Sequence, residues 1–172
     1  MKMHIGGQWV DKSEKIEVLN PFSGSVIDTI PRANQQDVET ALKTAERGAE
    51  IMAKMTGYER YEIIHKVSEI MTERVEELAQ IITLEEGKTL AEATIEASRS
   101  IEIIALSGEE AKRLSGEVVP LDGGPGVKDK FGFTMRIPCG IVVGISPFNF
   151  PLHLVCHKVG PALAAGNAII LK

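Results

Sequence analysis

A carboxamide, Asn149, stands between two aromatic residues in the run Ile141-Val-Val-Gly-Ile-Ser-Pro-Phe-Asn-Phe-Pro151. The apolar opening of that run reads as a strand buried on both faces. It stops at Ser146-Pro147, where proline ends ladder donation. Pro151 suits the first turn of a helix, because its missing N–H would be unpaired there anyway. Strand, tight turn and helix start are where open α/β sheets bind their ligands. An amide at that point is a neutral donor that can stabilise developing negative charge without ionising, whereas an aspartate would repel it. The same residue type also caps turns, and the local sequence alone leaves both uses open.

Other residues capable of chemistry group less well. His153 and His157 lie four apart on one helical face with Cys156 between them. No Glu follows His153 to make H-E-x-x-H, and no further pair has zinc spacing, so no metal site is expected. Cys139 and Cys156 fit a reducing compartment, give no disulfide framework, and both read as small buried core residues. The glutamates and lysines on the outer helix faces read as solvated charge, and no carboxylate pair is set across a substrate as glycoside hydrolysis needs.

The bulk of the chain narrows the function classes. At 172 residues, 44% hydrophobic and 25% charged, it has the composition of a globular domain with a sizeable core. A net charge of −5 argues against nucleic acid as a partner. No apolar run approaches the roughly 20 residues that cross a bilayer. The opening Met1-Lys-Met-His-Ile-Gly-Gly-Gln-Trp9 carries no signal-peptide stretch, so a cytoplasmic location is expected.

The elements that must position Asn149 follow from pattern. Gly6-Gly7 suits a hairpin within Ile5–Val10, and Asn20-Pro21-Phe22-Ser23-Gly24 a turn between strands at Ile16–Leu19 and Val26–Ile30. Asn34 caps a helix running to about Met52, with Asp37 in its first turn. Ile63, Ile64, Val67, Ile70, Met71, Val75, Leu78, Ile81 and Ile82 recur at three- and four-residue spacing and predict one long amphipathic helix ended by Glu86-Gly87-Lys88. Leu90, Ala93, Ala97, Ile101, Ile104 and Ala111 mark the buried face of the next, to about Leu114. Phe131–Ile137 reads as an extended strand after the flexible stretch 120–126. Strand Ile141–Ile145, helix Leu152–Ala165, the stop at Gly166-Asn167 and strand Ala168–Leu171 make a βαβ unit. No turn or polar tail follows that last buried strand, and the chain reads as if cut inside a doubly wound sheet.

The motif Pro138–Leu152, with Pro161-Ala-Leu-Ala-Ala-Gly-Asn167 and Ile170-Leu171-Lys172, closely resembles the aldehyde dehydrogenase superfamily. The Ile5–Val10 hairpin, Asn20-Pro21, Leu84–Lys88 and the helix order fit that family's N-terminal region. Gly140 and Gly144 do not make G-x-G-x-x-G, so the common Rossmann phosphate loop is absent. The resemblance implies an α/β fold with an incomplete Rossmann-like doubly wound parallel sheet, an N-terminal hairpin and long helices. It implies that residues 1–118 and 139–172 belong to a cofactor-binding domain, that 119–138 is an oligomerisation-strand segment, and that the catalytic domain is absent.

By the same resemblance Asn149 is the side-chain donor to the oxyanion formed when a thiolate attacks an aldehyde. Ile145, Ser146, Pro147 and Phe148 line the cleft for NAD or NADP, and Lys172 contacts the adenine-side ribose, though it also reads as a solvated terminal lysine. Phe150 and Leu154 match aldehyde-channel positions and could equally be core. The family most often has Trp where this chain has Phe148, and the Phe-Asn form leans toward lactaldehyde, semialdehyde and similar small functionalised aldehydes. The family's nucleophilic cysteine and general-base glutamate align with nothing here, so the chain alone is expected to be inactive and the full-length enzyme a homo-oligomer. Two rival readings are a truncated homologue serving as a binding or assembly module, and an enzyme using Cys156 as nucleophile.

Overall fold

Gly6 and Gly7 both take positive φ (57° and 81°), the backbone that a two-residue hairpin turn requires. They join β1 (Met3–Ile5) to β2 (Gln8–Val10), with His4 opposite Trp9 and the two rings meeting edge to face. A second hairpin pairs β3 (Lys15–Leu19) with β4 (Val26–Pro31). In its turn, Asn20 Oδ1 accepts the N–H groups of Phe22 and Ser23 at 2.9 and 3.1 Å. The computed structural model describes residues 1–172.

Three helices start with the same local device. α1 (Gln35–Lys54), α2 (Gly57–Glu73) and α4 (Leu90–Ala111) carry capping boxes from Asn34 with Asp37, Thr56 with Glu59, and Thr89 with Glu92. Each box satisfies N–H groups that the helix cannot pair internally. The single helix expected across Ile63–Ile82 is two: α2 ends at Glu73, and α3 (Val75–Glu86) begins after Arg74. Arg74 leaves helical geometry (φ −112°, ψ 16°), and its guanidinium forks onto the Glu77 carboxylate at 2.9 and 2.7 Å in the new first turn. The expected apolar stripe is covered only in part. Ile64 and Ile82 are buried, while Ile63, Val67, Ile70 and Ile81 are exposed. Leu90, at the start of α4, is exposed as well.

Small residues let the helices approach closely. A Cβ on Gly57 would lie 2.4 Å from the Ala111 carbonyl oxygen, and one on Gly160 would lie 2.5 Å from Ser107 Oγ. Ile64, Ile104, Ala111, Cys156 and Ala164 form one core cluster; Ala79, Ile82, Ala93 and Ala97 form a second.

The C-terminal βαβ unit is β7 (Ile141–Gly144), α5 (His153–Ala164) and β8 (Ala168–Leu171), with Ile141 through Gly144 beside Ala168 through Leu171 in parallel. Side chains alternate across a strand. Ala168 approaches Gly48 of α1, while the other face of the pair at Gly144 meets Lys158 of α5 and the side chain of its register partner Leu171. Helices thus lie on both faces of the pair, the layering of a doubly wound α/β fold. Coverage is partial, contrary to the expectation of a strand buried on both faces: Val143 is 59% and Ile145 66% exposed. The expected strand Phe131–Ile137 also shrinks. Only β6 (Gly132–Phe133) pairs, with β5 (Val118–Val119); Pro120 and a 3-10 turn at Leu121–Gly123 end the pairing on the Phe131 side.

Candidate functional site

The two parallel strands end together. The Lys172 N–H donates to the Gly144 carbonyl at 2.8 Å, and the Ser146 N–H donates to the Lys172 carbonyl at 3.1 Å. The carboxyl edge of the sheet therefore carries Ile145, Ser146 and Lys172 side by side, the edge where open α/β sheets take ligands. Ser146 Oγ is buried and has no hydrogen-bond partner. Pro147, Phe148 and Asn149 follow as an exposed loop. Pro151 lies in the turn before α5 rather than inside the helix, although the Leu154 N–H already reaches back to the Phe150 carbonyl at 3.1 Å.

Asn149 is held by its backbone, not by its side chain. Lys88 Nζ donates to the Asn149 carbonyl oxygen at 2.8 Å, while the carboxamide of Asn149 makes no hydrogen bond within the chain. The same ammonium donates to Glu96 Oε2 at 2.6 Å, lies 3.0 Å from Glu86 Oε2, and sits 3.8 Å from the centre of the Phe150 ring. Burial by itself would lower the Lys88 ammonium; its bonds to Glu96 and Glu86 outweigh burial and hold it above the usual lysine value.

Glu96 is the deepest charged group of the site, its side chain only 1% exposed. Its Oε1 accepts the N–H groups of Leu152 and His153 at 3.0 and 3.2 Å, the first donors of α5. α5 has no side-chain cap of its own. A carboxylate from α4 thus serves as its cap and opposes its positive end. The sequence pattern singles out neither residue: helix-borne glutamates read as solvated charge, and Lys88 reads as part of the Glu86-Gly87-Lys88 helix stop. The signal was present: Ala93, Glu96, Ala97 and Ser100 share the three- and four-residue spacing of the buried stripe, which sets a carboxylate on an apolar face.

Beside this network is a cavity of about 170 Å³ whose walls include Lys88, Ile95, Arg99, Phe150 and His153. Of the two channel candidates, Phe150 lines it and Leu154 does not; Leu154 is half-buried, and its carbonyl accepts Lys158 Nζ at 3.0 Å. The His153 and His157 Nε2 atoms are 3.1 Å apart. Burial, then His157 and Arg99, holds His153 below the usual histidine value against the pull of Glu96.

The cysteines part company. Cys139 is exposed, correcting its expected place in the core: it lies outside the strand, before the positive-φ Gly140 (105°) that opens β7. Cys156 is 3% exposed, and burial pushes its thiol up to about 11 against a hydrogen bond with Ser100. At neutral pH it is a protonated core thiol, which does not suit a nucleophile.

No helix is long and apolar enough to cross a membrane. Residues 9–172 match the aldehyde dehydrogenase family. The 3-sulfolactaldehyde dehydrogenase of Priestia aryabhattai is 40% identical over 170 residues, 99% of this chain and 35% of that enzyme. Aldehyde dehydrogenase 21 from Physcomitrella patens, solved with the reaction product succinate, superposes with a TM-score of 0.95 at 36% identity, covering 99% of this chain and 36% of that one. An NADP-dependent enzyme of E. coli superposes with a TM-score of 0.91 at 35% identity, over 98% of this chain and 34% of that one. The chain thus spans 35% of the length of curated relatives such as the Priestia enzyme.

Proposed function

The chain belongs to the aldehyde dehydrogenase family, and from that premise we propose that it forms the N-terminal, nucleotide-side portion of a cytoplasmic NAD- or NADP-dependent enzyme oxidising a small functionalised aldehyde to a carboxylic acid. The observation that carries the reading is the Asn149 carboxamide, exposed and free of intrachain bonds while its own backbone is anchored. A neutral donor left unpaired on an anchored backbone is what an oxyanion requires.

The carboxyl edge of β7 and β8 fits a dinucleotide. Ser146 Oγ is a buried polar atom lacking a partner, and the Lys172 backbone is bonded to the Ser146 N–H beside it. Ile145, Ser146, Pro147 and Phe148 would line the cleft, mainly through backbone, and Lys172 would bond the adenine-side ribose. The nicotinamide, when bound, supplies the hydride acceptor. Asn149 donates its N–H to the oxygen of the reacting carbonyl and steadies the charge that develops there. Phe150 and Leu154 contribute apolar surface on the aldehyde side, and Phe150 already lines the neighbouring cavity. The nucleophilic cysteine and the general-base glutamate are assigned to the remaining length of the family's enzymes, so these 172 residues alone carry no turnover. Phe148 in place of tryptophan, and the 3-sulfolactaldehyde named for the Priestia relative, support a small polar aldehyde.

Residues 1–118 and 139–172 are assigned to the cofactor-binding domain, and 119–138 to a strand segment for homo-oligomer formation. Exposed Phe131, Phe133, Met135 and Ile137 support the latter. The exposed free thiol of Cys139 suits a reducing cytoplasm. The test is aldehyde-dependent reduction of NAD or NADP by the complete enzyme, with 3-sulfolactaldehyde, lactaldehyde and succinate semialdehyde as substrates. Absence of reduction with both cofactors and all three aldehydes rejects the reading.

A further inference from the structure

We infer that Lys88 and Glu96 are positioning residues that hold the turn from Asn149 to His153 at its two ends, Lys88 at the Asn149 carbonyl and Glu96 at the Leu152 and His153 N–H groups, so that the backbone carrying the carboxamide is set by groups that never touch the substrate. The consequence for catalysis rests on the oxyanion role proposed above for Asn149; the mechanical hold does not.

A carboxylate as deeply buried as Glu96 is stable only if its oxygens are paired. Both are. Oε1 takes the Leu152 and His153 N–H groups, and Oε2 takes the Lys88 ammonium. Lys88 passes the hold to the other side of Phe150: it donates to the Asn149 carbonyl and lies over the Phe150 ring. The peptide leaving Asn149 and the two peptides that open α5 are therefore fastened to one ion pair on α4 and the α3–α4 turn. Only Phe150 and Pro151 lie between the fastened groups, and proline has one fixed backbone angle. The loop has little freedom left, although Phe148 and Asn149 themselves are exposed. Holding a donor still before charge develops is the essence of preorganised electrostatic catalysis.

The decisive variant is Lys88→Met with Glu96→Gln in the full 172-residue chain. Removing Lys88 alone would strand the Glu96 carboxylate and endanger the fold; in the double variant Gln Oε1 still accepts the Leu152 and His153 N–H groups, and only Glu86, 3.0 Å from the ammonium and 14% exposed, loses its cation, so the same double variant carrying Glu86→Gln separates that loss from the hold. Backbone 15N relaxation reads the result. In the wild type, Asn149 and Phe150 have order parameters near the rigid value of about 0.85; in the double variant they fall below about 0.6, while α1 and α5 stay rigid. Glu96→Ala with Lys88→Met additionally exposes the Leu152 and His153 amides to faster hydrogen exchange. Order at Asn149 and Phe150 that is unchanged in the double variant overturns the inference. In the complete enzyme, the double variant lowers kcat with little change in cofactor KM. If Asn149→Ala leaves kcat unaltered, the oxyanion reading fails, and the relaxation data still decide the hold.

Discussion

Asn167 Oδ1 accepts the Gly140 N–H at 2.9 Å, tying the end of α5 to the start of β7 across 27 residues. Its Nδ2 donates to the Ala162 carbonyl at 3.2 Å, and the residue is 4% exposed. Asn167→Ala leaves the partly buried Gly140 N–H without its acceptor, while the Ala162 carbonyl keeps the backbone N–H of residue 167 at 3.0 Å. The expected loss is about 1–3 kcal/mol of unfolding free energy, read as a lower urea midpoint at unchanged slope.

Gly160→Ala tests the close approach of α4 and α5. Alanine ordinarily favours a helix by about 0.5–1 kcal/mol over glycine. Here its methyl would meet Ser107 Oγ at 2.5 Å and Ser107 Cβ at 2.9 Å, inside a packed interface. Overpacking costs about 1–3 kcal/mol, so a net loss of about 1–2 kcal/mol is expected. Pairing the change with Ser107→Gly restores most of it; a stability gain from Gly160→Ala alone contradicts the packing described.

Asn149→Ala separates function from fold. The side chain has no partner in the chain, so thermal stability changes by less than about 0.5 kcal/mol. In the complete enzyme, kcat falls about 10²–10³-fold. A large drop in melting temperature would instead mark Asn149 as a structural turn residue.

Thiol reactivity distinguishes the two cysteines. Cys139 is exposed, and Cys156 is buried with its thiol pushed up to about 11. Iodoacetamide at about pH 8 labels Cys139 under native conditions and Cys156 only upon unfolding. Peptide mass mapping at intervals reads the order, and equal labelling rates exclude the buried placement.

His153 makes stability depend on pH. Its folded value lies below the ordinary 6.5, so in that interval the unfolded chain binds more protons than the folded one. Stability from this group is complete above about 6.5 and is lost as pH falls toward the lowered value. Melting temperature should fall from about pH 7 to about pH 5.5, and His153→Phe should flatten that slope. An equal slope in the variant shows that other groups set the dependence.

Local chemistry was legible wherever one stretch of sequence decides it. The glycine pair of the first hairpin, the Asn34 cap and the βαβ unit at 141–171 all stand where their residues point. What the sequence concealed depends on distant partners. The break at Arg74 lies inside an unbroken apolar rhythm, with no glycine or proline to announce it. Val143 and Ile145 are apolar enough for a covered strand, yet coverage depends on which elements surround the sheet. Cys139 followed the rule that free cysteines are buried, and the backbone turn at Gly140 overrode it. Lys88 and Glu96 are common surface residues; only the packing of α4 against the Asn149 loop reveals them as interior charge.

The first turn of α5 carries a constraint on the order of events during folding. α1, α2 and α4 find their caps within three residues and can nucleate as isolated segments. The α5 cap is 56 residues upstream of Leu152, so that turn gains its acceptor only after the chain between them has closed. Ribosomal synthesis runs in the favourable direction, since α4 emerges first and can await its partner.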